Sequence, residues 1–180
     1  MVFLIASVLE IKAQENVVKV NILSPFVYTG SVSFEHAFNW STSYEFGFSF
    51  TPVTEVSGGY FGTKQELSGF SATLGLRKYF AKDALHGLYY GPYLRHQSIT
   101  LKADDISATI SVSSAGLKLG YQFIIGEVFS IDLFSGTGIG MYDIGDSDGF
   151  AEATSILGSG KMVTSTITFG FNLGYAFFLN

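Results

Sequence analysis

Residues 164–179 alternate without a break, and this alternation constrains the fold more than any other feature of the chain. The odd positions read Ser165, Ile167, Phe169, Phe171, Leu173, Tyr175, Phe177 and Leu179, and the even ones Thr164, Thr166, Thr168, Gly170, Asn172, Gly174, Ala176 and Phe178. One set is a wall of large apolar groups; the other is mostly small or polar. Successive side chains of a strand point to opposite faces, whereas a helix would mix the two sets. The segment is predicted to be a strand with one apolar face.

Seven more segments of this kind precede it, at residues 17–23, 30–37, 43–51, 67–80, 88–101, 108–125 and 128–143. Several exceed the ~5–6 residues of an ordinary strand and reach the ~9–11 that a tilted membrane strand needs. A break of phase near Ser113 and Ser114 predicts a bulge. Connections after the second, fourth and sixth segments are short (38–42, 81–87 and 126–127), while those after the third and seventh are long (52–66 and 144–163). An even number of antiparallel strands, with short turns at one end and longer loops at the other, predicts an all-β, eight-stranded antiparallel up-and-down transmembrane β-barrel. The loops around 24–29, 52–66, 102–107 and 144–163 would lie outside, and both termini on the periplasmic side.

Composition agrees with that reading. The 180 residues are 14% charged and 16% aromatic, with a mean hydropathy of +0.34, against about 25% charged in an average soluble domain. Disorder is excluded, because it needs low hydrophobicity and high charge. Yet no stretch approaches the ~20 apolar residues of a transmembrane helix; the longest runs over residues 2–9. With no Cys, a disulfide scaffold, a Cys-built metal site and a lipoprotein are all out. A net charge of −5 argues against a nucleic-acid partner. No cofactor and no metal are expected.

The apolar run 2–9 is followed by Ile11, Lys12, Ala13 and Gln14, which suits the h-region and small-residue cleavage site of a secretory signal peptide. Residues 1–13 are therefore expected to be a leader and 14–180 one barrel domain. The usual basic n-region is missing, so the start is truncated or the run is a short core helix.

Taking the bulky apolar parity of each strand as outward, Lys19, Glu35, Glu45, Arg77, Arg95, Lys118 and Asp132 all fall on the opposite, inward parity. Chance would do this about once in a hundred. A Lys or Arg facing lipid at the midplane costs about 2–4 kcal/mol, whereas inside the barrel these groups can pair. They would either gate a thin water path or close the lumen as an ion-pair network, and an eight-stranded barrel, just wide enough to be filled by side chains, favours closure. A wide porin needs ~16–18 strands. Lys78 has the outward parity but sits near a strand end, where its stem can snorkel. Trp40, Tyr44, Phe80, Tyr90, Phe123, Phe129 and Phe177 cluster near the short-turn end, as an interfacial girdle would.

A soluble calyx also alternates, and its apolar interior is a ligand site. It would have to turn Phe46, Phe48, Leu74, Leu76, Leu117, Leu119, Phe169 and Phe171 inward and leave Gly69, Gly116 and Gly120 on the solvent face. Glycine weakens a strand; inside a narrow barrel it instead gives room to Arg, Lys and Tyr.

The eight-strand plan over residues 17–180 resembles the small OmpA/OmpX-type barrels. The stretch Lys19-Val20-Asn21-Ile22-Leu23-Ser24-Pro25, followed by Gly30-Ser31-Val32-Ser33-Phe34-Glu35-His36-Ala37, is similar to an uncharacterised Bacteroidetes-type family of small outer-membrane barrels. The end of the chain resembles the signal read by the barrel-assembly machinery, with Asn172, Gly174, Phe177 and Leu179 at its matching positions, although it closes on Leu179-Asn180 rather than a terminal Phe or Tyr. The resemblance implies the bacterial outer membrane as location, lipid and lipopolysaccharide as surroundings, and the assembly machinery as a partner in biogenesis. It implies no activity.

Candidates for chemistry are few. His96-Gln97-Ser98 is similar to the His-x-Ser pair of lipid-A deacylase barrels, in which His would serve as base for a Ser nucleophile. His96 and Ser98 share a face, but the acidic partner is missing at the right distance. Gly136-Thr137-Gly138-Ile139-Gly140 lacks the Lys and the helix of a phosphate loop and reads as the small-residue face of a strand. Asp146, Asp148 and Glu152 lack the EF-hand spacing and read as a solvated loop. Tyr60, Phe61, Phe150, Ile156 and Leu157 lie in the long loops, where binding function usually resides. The expected function is a non-enzymatic structural or surface-interaction protein, with an unidentified surface ligand; the alternatives are a lipid-modifying enzyme using His96 and Ser98 and a soluble carrier of a hydrophobic ligand.

Overall fold

The computed structural model describes residues 15–57, 64–81, 83–103, 106–144 and 162–178. Eight strands follow one another: β1 (Asn16–Asn21), β2 (Gly30–Asn39), β3 (Thr42–Ser57), β4 (Lys64–Tyr79), β5 (Gly87–Ala103), β6 (Ile106–Ile125), β7 (Phe129–Ile144) and β8 (Met162–Phe177). Each pairs with its neighbours in sequence, and β8 returns to β1, so the sheet closes into an antiparallel up-and-down barrel. Closure leaves no unpaired edge, which an antiparallel sheet otherwise exposes.

On every strand the bulky apolar residues face outward along the part of the wall nearer the short turns. Val18, Phe46, Leu74, Leu94, Leu117, Leu133, Ile167 and Phe169 all stand on the outer surface and are exposed. The apolar set that a calyx needs inside is thus on the outside, and the interior carries Lys19, Glu35, Glu45, Arg77 and Asp132. Large inward side chains lie against glycines directly opposite them on the adjacent strand. A Cβ on Gly120 would come 2.5 Å from the Tyr89 ring, and one on Gly174 would come 2.9 Å from the Lys19 stem. These glycines supply volume.

Three expectations are corrected. The pairings of β6 with β5 and with β7 run unbroken through Ser113 and Ser114, so there is no bulge there. What changes at that point is chemistry: the outward positions turn from Leu117 and Ala115 to Ser113, Ser111 and Thr109, while Val112 and Ile110 turn inward. Register shifts lie instead between Ala37 and Asn39, beside the β2–β3 turn, and between Thr51 and Thr54, where Pro52 cannot donate to the ladder. Beyond it β3 continues to Ser57 and β4 begins at Lys64, so strand occupies most of the segment 52–66 that was expected to be loop. Likewise β5 reaches Ala103 and β6 begins at Ile106, which shortens the expected 102–107 loop. The loop after β1 carries a 3-10 turn, Ser24–Val27, closed by Tyr28 in the left-handed region at φ 56°. The expected leader and Leu179 lie outside the described residues, as do the loop residues Tyr60, Phe61, Asp146, Asp148, Phe150, Glu152, Ile156 and Leu157.

Candidate functional site: a charged plug beneath a polar cup

Six of the seven inward charges meet in the half of the lumen nearest the short turns. Arg77, from β4, is the hub. Its Nη1 donates to Asp132 Oδ2 at 3.0 Å and to Gln122 Oε1 at 3.1 Å, and lies 3.2 Å from Glu35 Oε2. Its Nη2 donates to Glu45 Oε1 at 2.6 Å, and the guanidinium lies 4.3 Å above the Tyr89 ring. A rigid planar fork suits a site where carboxylates converge from several strands. Lys19, from β1, pairs with Glu35 and with Asp132 at 3.1 Å, and donates to Gln122 at 2.6 Å. Lys118, from β6, reaches Glu45 Oε2 at 3.1 Å.

Neutral side chains occupy the remaining lone pairs. Tyr79 donates to Glu35 at 2.7 Å, Tyr89 to Asp132 at 2.8 Å and Asn172 to Asp132 at 3.2 Å. Ser43 donates to the same Glu35 oxygen as Tyr79, Oε1, while Lys19 holds Oε2. Charge is balanced as well: Lys19, Arg77 and Lys118 face Glu35, Glu45 and Asp132. Burial without this pairing would be prohibitive, since an isolated buried charge loses several kcal/mol of solvation. Below the network, Leu85 of the β4–β5 turn folds into the barrel mouth against Val17 and Ala176. Lys19, Glu35, Arg77 and Asp132 are almost wholly buried above it.

Arg95 departs from the expected network. It lies farther up β5, opposite Thr73 and Ser114, and forms no salt bridge with the carboxylates gathered around Arg77. Among the described residues its side chain makes one hydrogen bond, a 3.5 Å contact from Nη2 to Ser71 Oγ, and its buried Nε has no partner. Around it the lumen widens into a cavity of about 310 Å³. Glu45, Lys118 and Asn172 form the floor of this cup, and the Ser24–Val27 turn stands at its rim.

On the outer wall, His96 and Ser98 share a face as expected but are not joined. His96 Nδ1 pairs with Ser113 Oγ at 3.0 Å, directly across on β6, and Ser98 accepts from Ser111 at 3.4 Å. With Thr100 against Thr109 at 3.0 Å, these residues form cross-strand pairs of the usual sheet kind. Lys78 also points outward, and its Nζ turns to the short-turn end to donate to Ser41 at 2.7 Å. In β8, Asn172 and Gly174 face the lumen and Phe177 faces outward, stacked on Tyr175 at 6.4 Å.

Sequence reasoning did not single out Tyr79, Tyr89, Gln122 and Ser43 as parts of the plug. The available signal was parity, because each lies an even number of positions from an inward charge on its own strand.

A closed eight-stranded barrel with polar contents therefore coincides with a family match along nearly the whole chain. The chain belongs to the family described as protein of unknown function (DUF3575), whose model covers residues 1–177. No curated protein matches it. Membership fixes no chemistry, so function must be argued from the barrel itself.

Proposed function

We propose that this DUF3575 member is an integral protein of the bacterial outer membrane, non-enzymatic, with loops outside and termini in the periplasm. The observation that carries the reading is the outer surface. Val20, Phe46, Phe48, Leu74, Leu94, Leu117, Leu133, Ile167 and Phe169 are each 40% exposed or more, and they run around all sides of the barrel. Monomeric soluble proteins rarely expose apolar patches beyond a few hundred Å², and here the apolar surface encircles the barrel. Lipid removes the penalty.

Two further features support it. The exposed aromatics Trp40, Tyr44, Phe80, Tyr90, Tyr121, Phe123 and Phe129 gather at the short-turn end, and pairs such as Phe80–Tyr90 and Tyr121–Phe123 lie 5.2 and 4.4 Å apart. Such a belt matches the headgroup level of a bilayer. The Asn172, Gly174 and Phe177 positions then serve recognition by the barrel-assembly machinery, and lipid and lipopolysaccharide are the wall's neighbours. Within this reading the plug stabilises a barrel that does not conduct, and His96 belongs to a polar strand end rather than to a lipid-modifying site.

Cell fractionation combined with a heat-modifiability gel tests the proposal. Recovery in the outer membrane, with different mobility for unheated and boiled samples, is the expected result. A product soluble without detergent and showing no shift would overturn it.

A further inference from the structure

We infer that the cup above the plug is a binding site for a small hydroxylated carboxylate, with Arg95 as its anion-recognising residue. The inference rests on the geometry of the lumen and not on which membrane surrounds it.

The charge balance comes first. The three cations and three carboxylates of the plug neutralise one another through direct contacts. Arg95 is left over. It pairs with no carboxylate among the described residues, its Nε has no partner, and its one bond, to Ser71, is long at 3.5 Å. A partly buried guanidinium keeps its charge and presents five donors in a fixed fork. That fork matches a carboxylate through two parallel N–H···O bonds.

The walls set the rest of the ligand. Around Arg95 the lining carries the hydroxyls of Ser31, Ser49, Ser71, Thr73 and Thr168, with Gln97 beside them, between the apolar faces of Tyr93, Ile99 and Phe134. The polar groups both donate and accept, and so fit the hydroxyls of a polyol or sugar. The cavity, about 310 Å³, lies at the small end of the range for small-molecule sites and has room for one molecule of monosaccharide size. Among the described residues the lumen carries one excess positive charge. A monoanion neutralises it, whereas a phosphate dianion would leave a net negative charge beside the Glu45 carboxylate on the cup floor. A hexuronate is the simplest molecule meeting all three conditions. With the buried plug and Leu85 beneath it, a solute in the cup is held there and does not pass through.

The chain has only two arginines, Arg77 and Arg95, which makes a site-resolved test direct. In the ¹H–¹⁵N spectrum of the full chain folded in detergent micelles, each arginine contributes one Nε–Hε signal. Titration with glucuronate should move the Arg95 signal along a saturable curve and leave the Arg77 signal in place, the latter also reporting that the plug is intact. By calorimetry, Arg95→Gln should weaken glucuronate binding about tenfold or more, as loss of a charge-assisted pair does, while the variant keeps its heat-modifiable band. Acetate, glucose and inorganic phosphate should each bind at least about fivefold more weakly than glucuronate. Absence of saturation at Arg95 would overturn the proposal. So would acetate binding as tightly, which removes any role for the hydroxyl wall. Glucose binding as tightly would remove any role for Arg95, and tighter phosphate binding would refute the monoanion argument.

Discussion

Replacing Arg77 with Met should be among the most damaging single changes available to this barrel. Arg77 touches all three plug carboxylates, at 3.2 Å from Glu35, 2.6 Å from Glu45 and 3.0 Å from Asp132. Without it, those three acids share Lys19 and Lys118, so one buried negative charge is uncompensated. Glu45 keeps Lys118 at 3.1 Å, but Asp132 and Glu35 must then share Lys19. Removing one partner of a buried ionic group costs about 3–5 kcal/mol. At a urea dependence of about 2 kcal/mol per molar, the midpoint of unfolding should fall by about 1.5–2.5 M. The assay is the fraction of unboiled, fast- or slow-migrating folded band on a gel across a urea series in detergent. Arg77→Lys should fall less, since an ammonium restores neutrality but cannot span the fork. Arg77→Met combined with Asp132→Asn should lose less than the sum of the two single changes, with a coupling of about 0.5–3 kcal/mol. A midpoint for Arg77→Met within about 0.3 M of the unaltered chain would refute the claim that the plug depends on this hub.

Gly91→Ala should destabilise by about 1–3 kcal/mol, because a Cβ there would stand 1.7 Å from the Leu76 carbonyl oxygen on β4; a normal thermal midpoint would show that the strands can part without penalty. Leu117→Arg, at an outward position 63% exposed, should cost about 2–4 kcal/mol in a bilayer, while Thr100→Arg, on the polar outer face near the β5–β6 hairpin, should cost about 0–1 kcal/mol. Equal effects for the two in refolding titrations into lipid vesicles would contradict the membrane reading. His96→Ala should leave the mass spectrum of lipid A unchanged, whereas a shift by one acyl chain between cells carrying the two forms would revive the enzymatic alternative.

Much of this architecture is legible in the residue order, because period-two alternation is a local property and a barrel wall is built from nothing else. The eight strands fall where the alternation does, from Val18 and Val20 through Ile167 and Phe169. The misreadings come from chemistry that imitates a change of backbone. Ser113 and Ser114 interrupt the apolar phase as a bulge would, yet the ladder passes through them unbroken, because near the hairpin the outer face of β5 and β6 becomes polar and the inner face apolar. Pro52 looks like the end of a strand, but a bulge absorbs it and β3 continues. The sorting of the seven inward charges into six plug residues and one outlier was not legible. It depends on how far each charge lies along the barrel, and height is set by the stagger between strands rather than by position in any one of them.

Stagger also explains why plug and cup divide where they do. Along the lower lumen the inward positions carry Lys19, Arg77, Tyr79, Tyr89 and Gln122, all among the largest fully buried side chains. Along the upper lumen β2, β3 and β4 turn Ser31, Gly47, Ser49, Ser71 and Thr73 inward, and β5 adds Arg95, Gln97 and Ile99. Eight strands give one width for both, so large residues fill the lower part and small ones leave the upper part open. Arg95 stands out there as a cation beside the small side chains of β4, with no carboxylate paired to it among the described residues. A chain selected only to close its lumen would have continued the large residues upward or given Arg95 a carboxylate across the barrel. The size gradient and the unmatched charge occur at the same height, and together they make the upper lumen a place for something other than the protein's own side chains.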